Sequence, residues 1–365
     1  MYAANLHSGG AVGVAASFID LLGSESLGSL VSRFDRLEVE VSTVVSDALT
    51  VDLDRLTRDP VRVSIRDDRP LPALVSRHPV DFDVALSVFG PTYVGRRAGR
   101  EVGGFADGSM FSTMPATKWC ELVGRERIKD IAKRSLLGKY DEYIVETHVL
   151  GATIALRYPG KRVSVVPNAV PHVFEHPEKW IRTELPKRLP GEVRFFYPAR
   201  GYPHKNHAFI PDFARAFRAE SGRPVRFVVT LTDDEAKLYG LSMEPCLINV
   251  GKVPLAACPH LYAMTDGVFF PSLLETYSST PLEGQYMKRP IFASNVESVI
   301  NSVGANAVFF DALDAGAAAS VVTEALDAPA SLNQLVQSAY VEVMGRPSSL
   351  DRARKYLEVM CDESL

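Results

Sequence analysis

Short apolar runs separated by helical stretches recur along both halves of this 365-residue chain, and that alternation restricts its fold more than any other feature. In the second half the runs are Val193-RFFYP, Val225-RFVVTL, Leu247-INV, Gly267-VFF, Pro290-IFAS and Ala307-VFF. Runs this brief, with Gly and Pro at their borders, suit buried parallel strands. In the first half Val39-EVSTVV, Val84-ALSVF, Tyr143-IVET and Val163-SVV repeat the pattern. Helical segments intervene, so an α/β fold is expected, each half a parallel sheet flanked by helices. Between the halves, Pro171-HVFEHPEKWIRTELPKRLPGE carries four prolines and no long apolar period, which reads as a linker with short helical pieces. The division expected is 1–170, a linker at 171–191, 192–348, and a terminal helix within 349–365. That helix presents Leu350, Ala353, Tyr356, Leu357 and Met360 at helical spacing.

Two acids stand where one of these strands gives way to a helix. Gly267-VFFPS is the strand, and Thr280-Pro281-Leu282-Glu283 has the form of a helix start, with Thr at the N-cap and Pro at the first helical position. Glu275 then falls in the strand-to-helix loop and Glu283 in the first turn. Open α/β sheets bind ligands at this edge, so one carboxylate is offered to a polyol and the other to a second diol. Free helix amides beside them suit an anion. On these residues alone, Glu283 also fits a capping box and Glu275 a solvated loop acid. A second segment, Val193-RFFYPAR followed by Gly201-YPHKNH and the amphipathic stretch Ala208-FIPDFARAFRAE, places Arg200 and Lys205 between a strand and a helix start. Guanidinium, ammonium and helix amides together make an anion cradle, although a basic surface turn has the same composition. His204 and His207 flank the lysine without a carboxylate or cysteine to complete a metal set.

Residues Pro271 to Ser294, PSLLETYSSTPLEGQYMKRPIFAS, resemble the signature of retaining glycosyltransferases of family 4. That signature is a Glu, seven residues and a second Glu, usually after Pro-Ser and before Gly-x-Pro-Ile/Val. The resemblance implies the GT-B fold: two Rossmann-like parallel-sheet domains facing across a cleft, with the terminal helix packing back on the first. It implies an acceptor-side domain at 1–170 and a nucleotide-sugar domain at 192–348. It also implies that Glu275 holds donor-sugar hydroxyls, that Glu283 holds the ribose, and that Arg200 and Lys205 hold the donor diphosphate. The loop Thr276, Tyr277, Ser278 and Ser279 would face the donor. Many members have Phe-Gly-Leu-Pro after the first Glu, whereas here Tyr277-Ser278-Ser279-Thr280 follows and Pro is delayed to 281.

Two further segments lie in register with that family. Asn5-LHSGGAVGVAASFIDLLGS has paired glycines, Gly9 and Gly10, opening an apolar-periodic helix, and the resemblance sets this loop against the donor phosphates and acceptor. Glycine permits the close backbone approach such a site needs. Only Met1-YAAN precedes it, where a full strand is expected. Tyr143-IVETHVLGATIALRYPGKRVSVVPNAV matches the segment that closes the N-terminal domain, with capping or packing the role expected of His148. Gly103-GFADGSMF supplies Asp107, at a position where the resembled family often presents a polar group facing the transferred sugar; the resemblance makes Asp107 our candidate, although Asp-Gly is also an ordinary turn.

Charge and cysteine content remove other classes. Forty basic and 44 acidic residues leave a formal charge of −4, with no nucleic-acid footprint. The four cysteines lack metal or disulfide-framework spacing and suit reduced thiols in the cytoplasm. No apolar run has the length of a membrane span. The segment Gly124-RERIKDIAKRSLLGKY has the basic, amphipathic composition of a helix resting on an anionic membrane, and equally that of a helix with a solvated basic face. The expected activity is retaining sugar transfer from a nucleotide-diphosphate donor to a saccharide or lipid-linked acceptor, with no catalytic metal or other cofactor. A nucleotide-sugar epimerase, a glycoside hydrolase and a silent sugar-binding subunit are the alternatives.

Overall fold

The structure, a computed structural model, describes residues 1–7, 9–66, 82–90, 98–106 and 136–362. Asp107 and most of the basic segment Gly124–Tyr140 lie outside the described residues. The chain forms two compact units, Met1–Asn168 with Ser348–Leu365, and Ala169–Pro347.

The first unit is built on a seven-stranded sheet of order β3-β2-β1-β4-β5-β6-β7. Its strands are β1 (Tyr2–Ala3), β2 (Leu37–Val41), β3 (Val61–Ile65), β4 (Phe82–Ser87), β5 (Ala98–Phe105), β6 (Glu142–Val145) and β7 (Arg162–Val165). All pairings are parallel. Two strands escaped the sequence reading. β3 is an edge strand whose side chains are largely exposed past Val61, so it lacks an apolar run. β5 buries Arg100, Glu101 and two glycines, and Gly103-Gly104-Phe105 is its end. The glycines serve packing: a Cβ on Gly104 would lie 1.8 Å from the Val88 carbonyl oxygen, and one on Gly103 would lie 2.6 Å from the Tyr140 ring.

The terminal helix Ser349–Cys361 belongs to this unit. Tyr356 meets Phe18 edge to face at 5.1 Å. Arg352, fully buried, donates to Asn168 Oδ1. Arg100 Nη2 donates to the carbonyls of Val359 and Met360, satisfying acceptors that a helix end leaves open.

The second unit carries a six-stranded sheet of order β10-β9-β8-β11-β12-β13. The strands are β8 (Val193–Tyr197), β9 (Val225–Val229), β10 (Leu247–Asn249), β11 (Gly267–Phe270), β12 (Ile291–Ser294) and β13 (Val308–Phe310), again all parallel. Phenylalanines knit its core. Phe269 lies 5.0 Å from Phe227, 4.5 Å from Phe213 and 5.0 Å from Phe310, ring centre to ring centre. Pairs of this kind add about 0.5–1.5 kcal/mol each beyond their buried area. Residues 171–191 group with this unit and carry short 3-10 turns at His172–Glu175 and Pro177–Lys179. Arg188 pairs with Asp266 at 2.6 Å, while Arg194 and Arg226 donate to the carbonyls of Pro186 and Lys187.

In both sheets the chain starts centrally, builds outward one way, then returns to build the other. The order reverses between β1 and β4 in one unit and between β8 and β11 in the other. The crevice beyond the carboxyl ends at such a point is where open α/β sheets hold ligands.

Candidate functional site

β8 ends at Tyr197 and β11 at Phe270, on either side of the reversal in the second unit. Each feeds a loop that carries candidate residues, and hydrogen bonds stitch the two loops together. Leu273 N–H donates to the His204 carbonyl at 2.7 Å. Tyr197 Oη donates to the Lys205 carbonyl at 2.9 Å and lies 2.9 Å from Ser272 Oγ. Asn206 takes a left-handed conformation (φ 55°), which Asn tolerates, and its Nδ2 reaches the carbonyls of Pro271 and Ala312 at 3.3 and 3.0 Å.

At the centre, Lys205 Nζ lies 2.6 Å from Glu275 Oε1, with 16% and 6% of the side chains exposed. The Glu275 amide donates to Ser298 Oγ at 3.2 Å. Ser278, three residues on, donates its amide to Ser302 Oγ at 2.9 Å. Ser298 and Ser302 sit one turn apart on the Glu297–Val303 helix, so one helix face sets the path of the glutamate loop. Tyr277 Oη accepts from Arg346 at 3.1 Å, and Arg346 pairs with Glu342, which in turn accepts from Asn306 at 2.9 Å.

The helix that carries Glu283 runs Ser279–Tyr286, which corrects the start expected at Thr280. Ser278 is the N-cap, Pro281 is third in the helix and Glu283 fifth, and the Ser278 side chain makes no capping hydrogen bond among the described residues. With its amide held by Ser302, the chain turns helical two residues early. Pro281 is tolerated because first-turn amides have no partner within the helix. The capping-box reading of Glu283 therefore fails. Its carboxylate is buried and accepts from Tyr262 Oη at 2.9 Å. Burial pushes this carboxyl above its ordinary value, and hydrogen bonds from Tyr262 and Ser279 work against the rise.

Arg200 donates through Nε to Glu235 Oε1 at 2.8 Å. Glu235 is the third residue of the Asp233–Leu238 helix and forms a capping box with Thr232. Burial disfavours its charge, but donors from Thr232, Arg200 and Gly201 outweigh that and hold its pKa down to about 2. His207 is buried with its ring 4.8 Å from Tyr197, and burial together with the Lys205 charge lowers its pKa to about 4, so it is neutral near pH 7.

The corresponding loop of the first unit follows β1. Gly9 caps the Gly10–Leu21 helix at φ 77°, ψ −171°, a conformation essentially restricted to glycine. Among the described residues, a Cβ added to Gly10 would meet no atom within 4 Å. Thr147 caps the His148–Arg157 helix by accepting from the Leu150 amide, and His148 itself is exposed.

No family model matches the sequence, and no curated protein does. Among solved structures the chain is similar to Anabaena Alr3699/HepE in complex with UDP and glucose, at 13% identity over 98% of each chain and a TM-score of 0.62. A glycosyltransferase from Rickettsia africae ESF-5 matches at 14% identity over 96% of this chain and 93% of its own, with a TM-score of 0.58. Sucrose-phosphate synthase from Thermosynechococcus elongatus matches at 14% identity over 71% of this chain and 67% of its own, with a TM-score of 0.52. The fold is GT-B. Among the described residues, no single helix of this GT-B chain is long and apolar enough to cross a membrane.

Several partners in the GT-B site were not singled out from sequence. Thr232-Asp-Asp-Glu235 carries the pattern of a capping box and could have been found by it. Tyr262, Ser298, Ser302 and Arg346 carry no local signal, because each reaches the site from an element distant in sequence.

Proposed function

We propose that this protein is a retaining glycosyltransferase of the family 4 type, transferring a sugar from a nucleotide-diphosphate donor to a saccharide or lipid-linked saccharide acceptor. The setting proposed is assembly of bacterial cell-surface polysaccharide, in the cytoplasm at the inner face of the cytoplasmic membrane. The observation that carries the reading is the Lys205–Glu275 pair at the reversal point, one partner from each of two stitched loops. The likeness to a GT-B structure holding UDP and glucose supports a nucleotide-sugar ligand.

A diphosphate competes with Glu275 for Lys205. Once the ammonium turns to phosphate, the Glu275 oxygens are free to accept sugar hydroxyls. Arg200 grips phosphate oxygens through its terminal nitrogens, and Glu283 accepts from the ribose. In the transfer, the bond between the anomeric carbon and the β-phosphate oxygen breaks, and its electron pair leaves with the nucleotide diphosphate. The acceptor oxygen bonds to that carbon on the same face, and its proton passes to the departing phosphate oxygen. Charge grows on the phosphate as the bond lengthens, so Arg200 and Lys205 bind the transition state more strongly than the ground state. Neither glutamate is a nucleophile in this scheme, and no metal is required.

The decisive experiment is a thermal-shift panel of nucleoside diphosphates and their sugars, with EDTA and then with magnesium. A ligand that binds only the folded state raises the melting temperature by mass action. Stabilisation by one base series under EDTA, lost in Arg200→Ala, is expected. No stabilisation by any of them sinks the transferase reading and leaves a silent subunit. Co-sedimentation with anionic and neutral liposomes tests the membrane setting, and binding indifferent to lipid charge overturns it.

A further inference from the structure

We infer that Glu235 is a positioning residue for the donor diphosphate: with Tyr239, it locks Arg200 so that the guanidinium meets phosphate already oriented. The inference rests on the donor site proposed above and goes beyond it, to a segment that provides none of the proposed donor contacts.

Five features converge on the Arg200-Gly201 turn. Glu235 Oε1 accepts from Arg200 Nε at 2.8 Å and from the Gly201 amide at 3.1 Å. The other oxygen, Oε2, accepts from the Thr232 amide and hydroxyl at 2.9 and 3.0 Å, so four donors fix the carboxylate in place. Tyr239, one turn further along, donates its hydroxyl to the Gly201 carbonyl at 2.8 Å. Both backbone groups of Gly201 are thus gripped from one side. A Cβ at Gly201 would lie 2.8 Å from both Cβ and Cγ of Glu235, so glycine is what lets the carboxylate come so close. Among the described residues, Glu235 is the guanidinium's only partner, and it is reached through Nε.

That arrangement leaves the two terminal nitrogens, with four N–H donors, for a ligand. An arginine loses much of its side-chain freedom when it binds phosphate. Here Glu235 imposes that order before the ligand arrives, which lowers the cost of binding. A nearby carboxylate also lowers the net positive charge offered to an anion. Positioning and charge therefore act in opposite directions, and removing Glu235 shows which prevails.

The test is calorimetric titration of the wild-type chain, Glu235→Ala, Glu235→Gln, Tyr239→Phe, Arg200→Ala and the Arg200→Ala/Glu235→Ala double variant. The probes are the diphosphates of uridine, guanosine and adenosine, with the matching nucleosides. Positioning predicts that E235A binds the preferred diphosphate about tenfold more weakly, with nucleoside affinity unchanged. E235Q, which keeps an oxygen for Nε and Gly201, stays within about threefold of wild type, and Y239F weakens by a few-fold. The double variant binds no worse than R200A, because Glu235 acts only through Arg200. An E235A variant that binds diphosphate as tightly as wild type, or more tightly, overturns the inference and leaves the donor site standing. If E235A does not fold, Y239F with undiminished diphosphate affinity overturns it instead. A wild-type chain that binds none of the diphosphates removes the donor site, and the inference with it.

Discussion

The two sheets reverse their strand order in the same manner, yet the loops at the two reversal points are built from different chemistry. After β1 the loop offers Gly9 and Gly10, one in a backbone conformation reserved for glycine and the other open to added bulk. After β8 and β11 the loops offer Arg200, Lys205 and Glu275, each held by a partner from another segment. One edge exposes backbone; the other presents charges held in pairs. A shared topology therefore fixes where a ligand can sit, while the residues at each edge decide what kind of group is held there.

Substitutions can break this contrast. The largest effect is expected from Glu275→Ala, which removes the proposed sugar contact and leaves Lys205 without its carboxylate partner. Turnover should fall by about 10²-fold or more, while nucleoside diphosphate binding is undiminished or stronger, because Lys205 is released to the phosphate. Steady-state kinetics beside nucleotide titration checks this, and unaltered turnover would take Glu275 out of the site. Lys205→Ala comes next, with nucleoside diphosphate binding weakened about 10- to 100-fold and nucleoside binding within about twofold. Equal losses for both ligands would remove Lys205 from the phosphate position.

At the glycine edge, backbone and space should separate. Gly9→Ala strains the cap and is expected to cost about 1–3 kcal/mol of stability in denaturant titration. Gly10→Ala should leave stability within about 0.5 kcal/mol, since no described atom contests that space, while lowering transfer activity if the proposed substrate does. If Gly10→Ala is fully active, the backbone-approach role is lost.

The smallest effect concerns pH. Glu283 has its pKa raised by burial, so between the ordinary and the raised value the folded state binds more protons than the unfolded state. Its contribution to stability is present below the ordinary value of 4.5 and is lost as pH rises through the raised folded value. Glu283→Gln should flatten that decline in a melting series across acid to neutral pH while weakening nucleotide binding. The same decline in the variant would assign the effect to another group.

Much of the fold could be read from the chain. In the second unit each apolar run is a strand, because a parallel sheet covered on both faces needs continuous Val and Phe. β3 and β5 were not legible, since an edge strand needs few apolar residues and β5 spends its positions on buried charge and close-packed glycine. The site was legible in part. Glu275 and Lys205 stood out as candidates, but their direct pairing did not, because it joins residues 70 apart. The helix start at Thr280 was misread for the same reason, as the Ser302 hydroxyl that sets it comes from another helix.

By itself, the sequence determined the alternation that makes two parallel sheets, and the acids and bases standing at strand ends. Both are local: strand and helix period are set by neighbouring residues, and a strand's end places whatever follows it. The tertiary structure alone decided which carboxylate meets which cation. Arg200 went to Glu235, Lys205 to Glu275, and Glu283 to a tyrosine in the core. Those choices follow from strand order, which brings β8 beside β11, and from burial, which strips water from each group until it must find a partner in the protein.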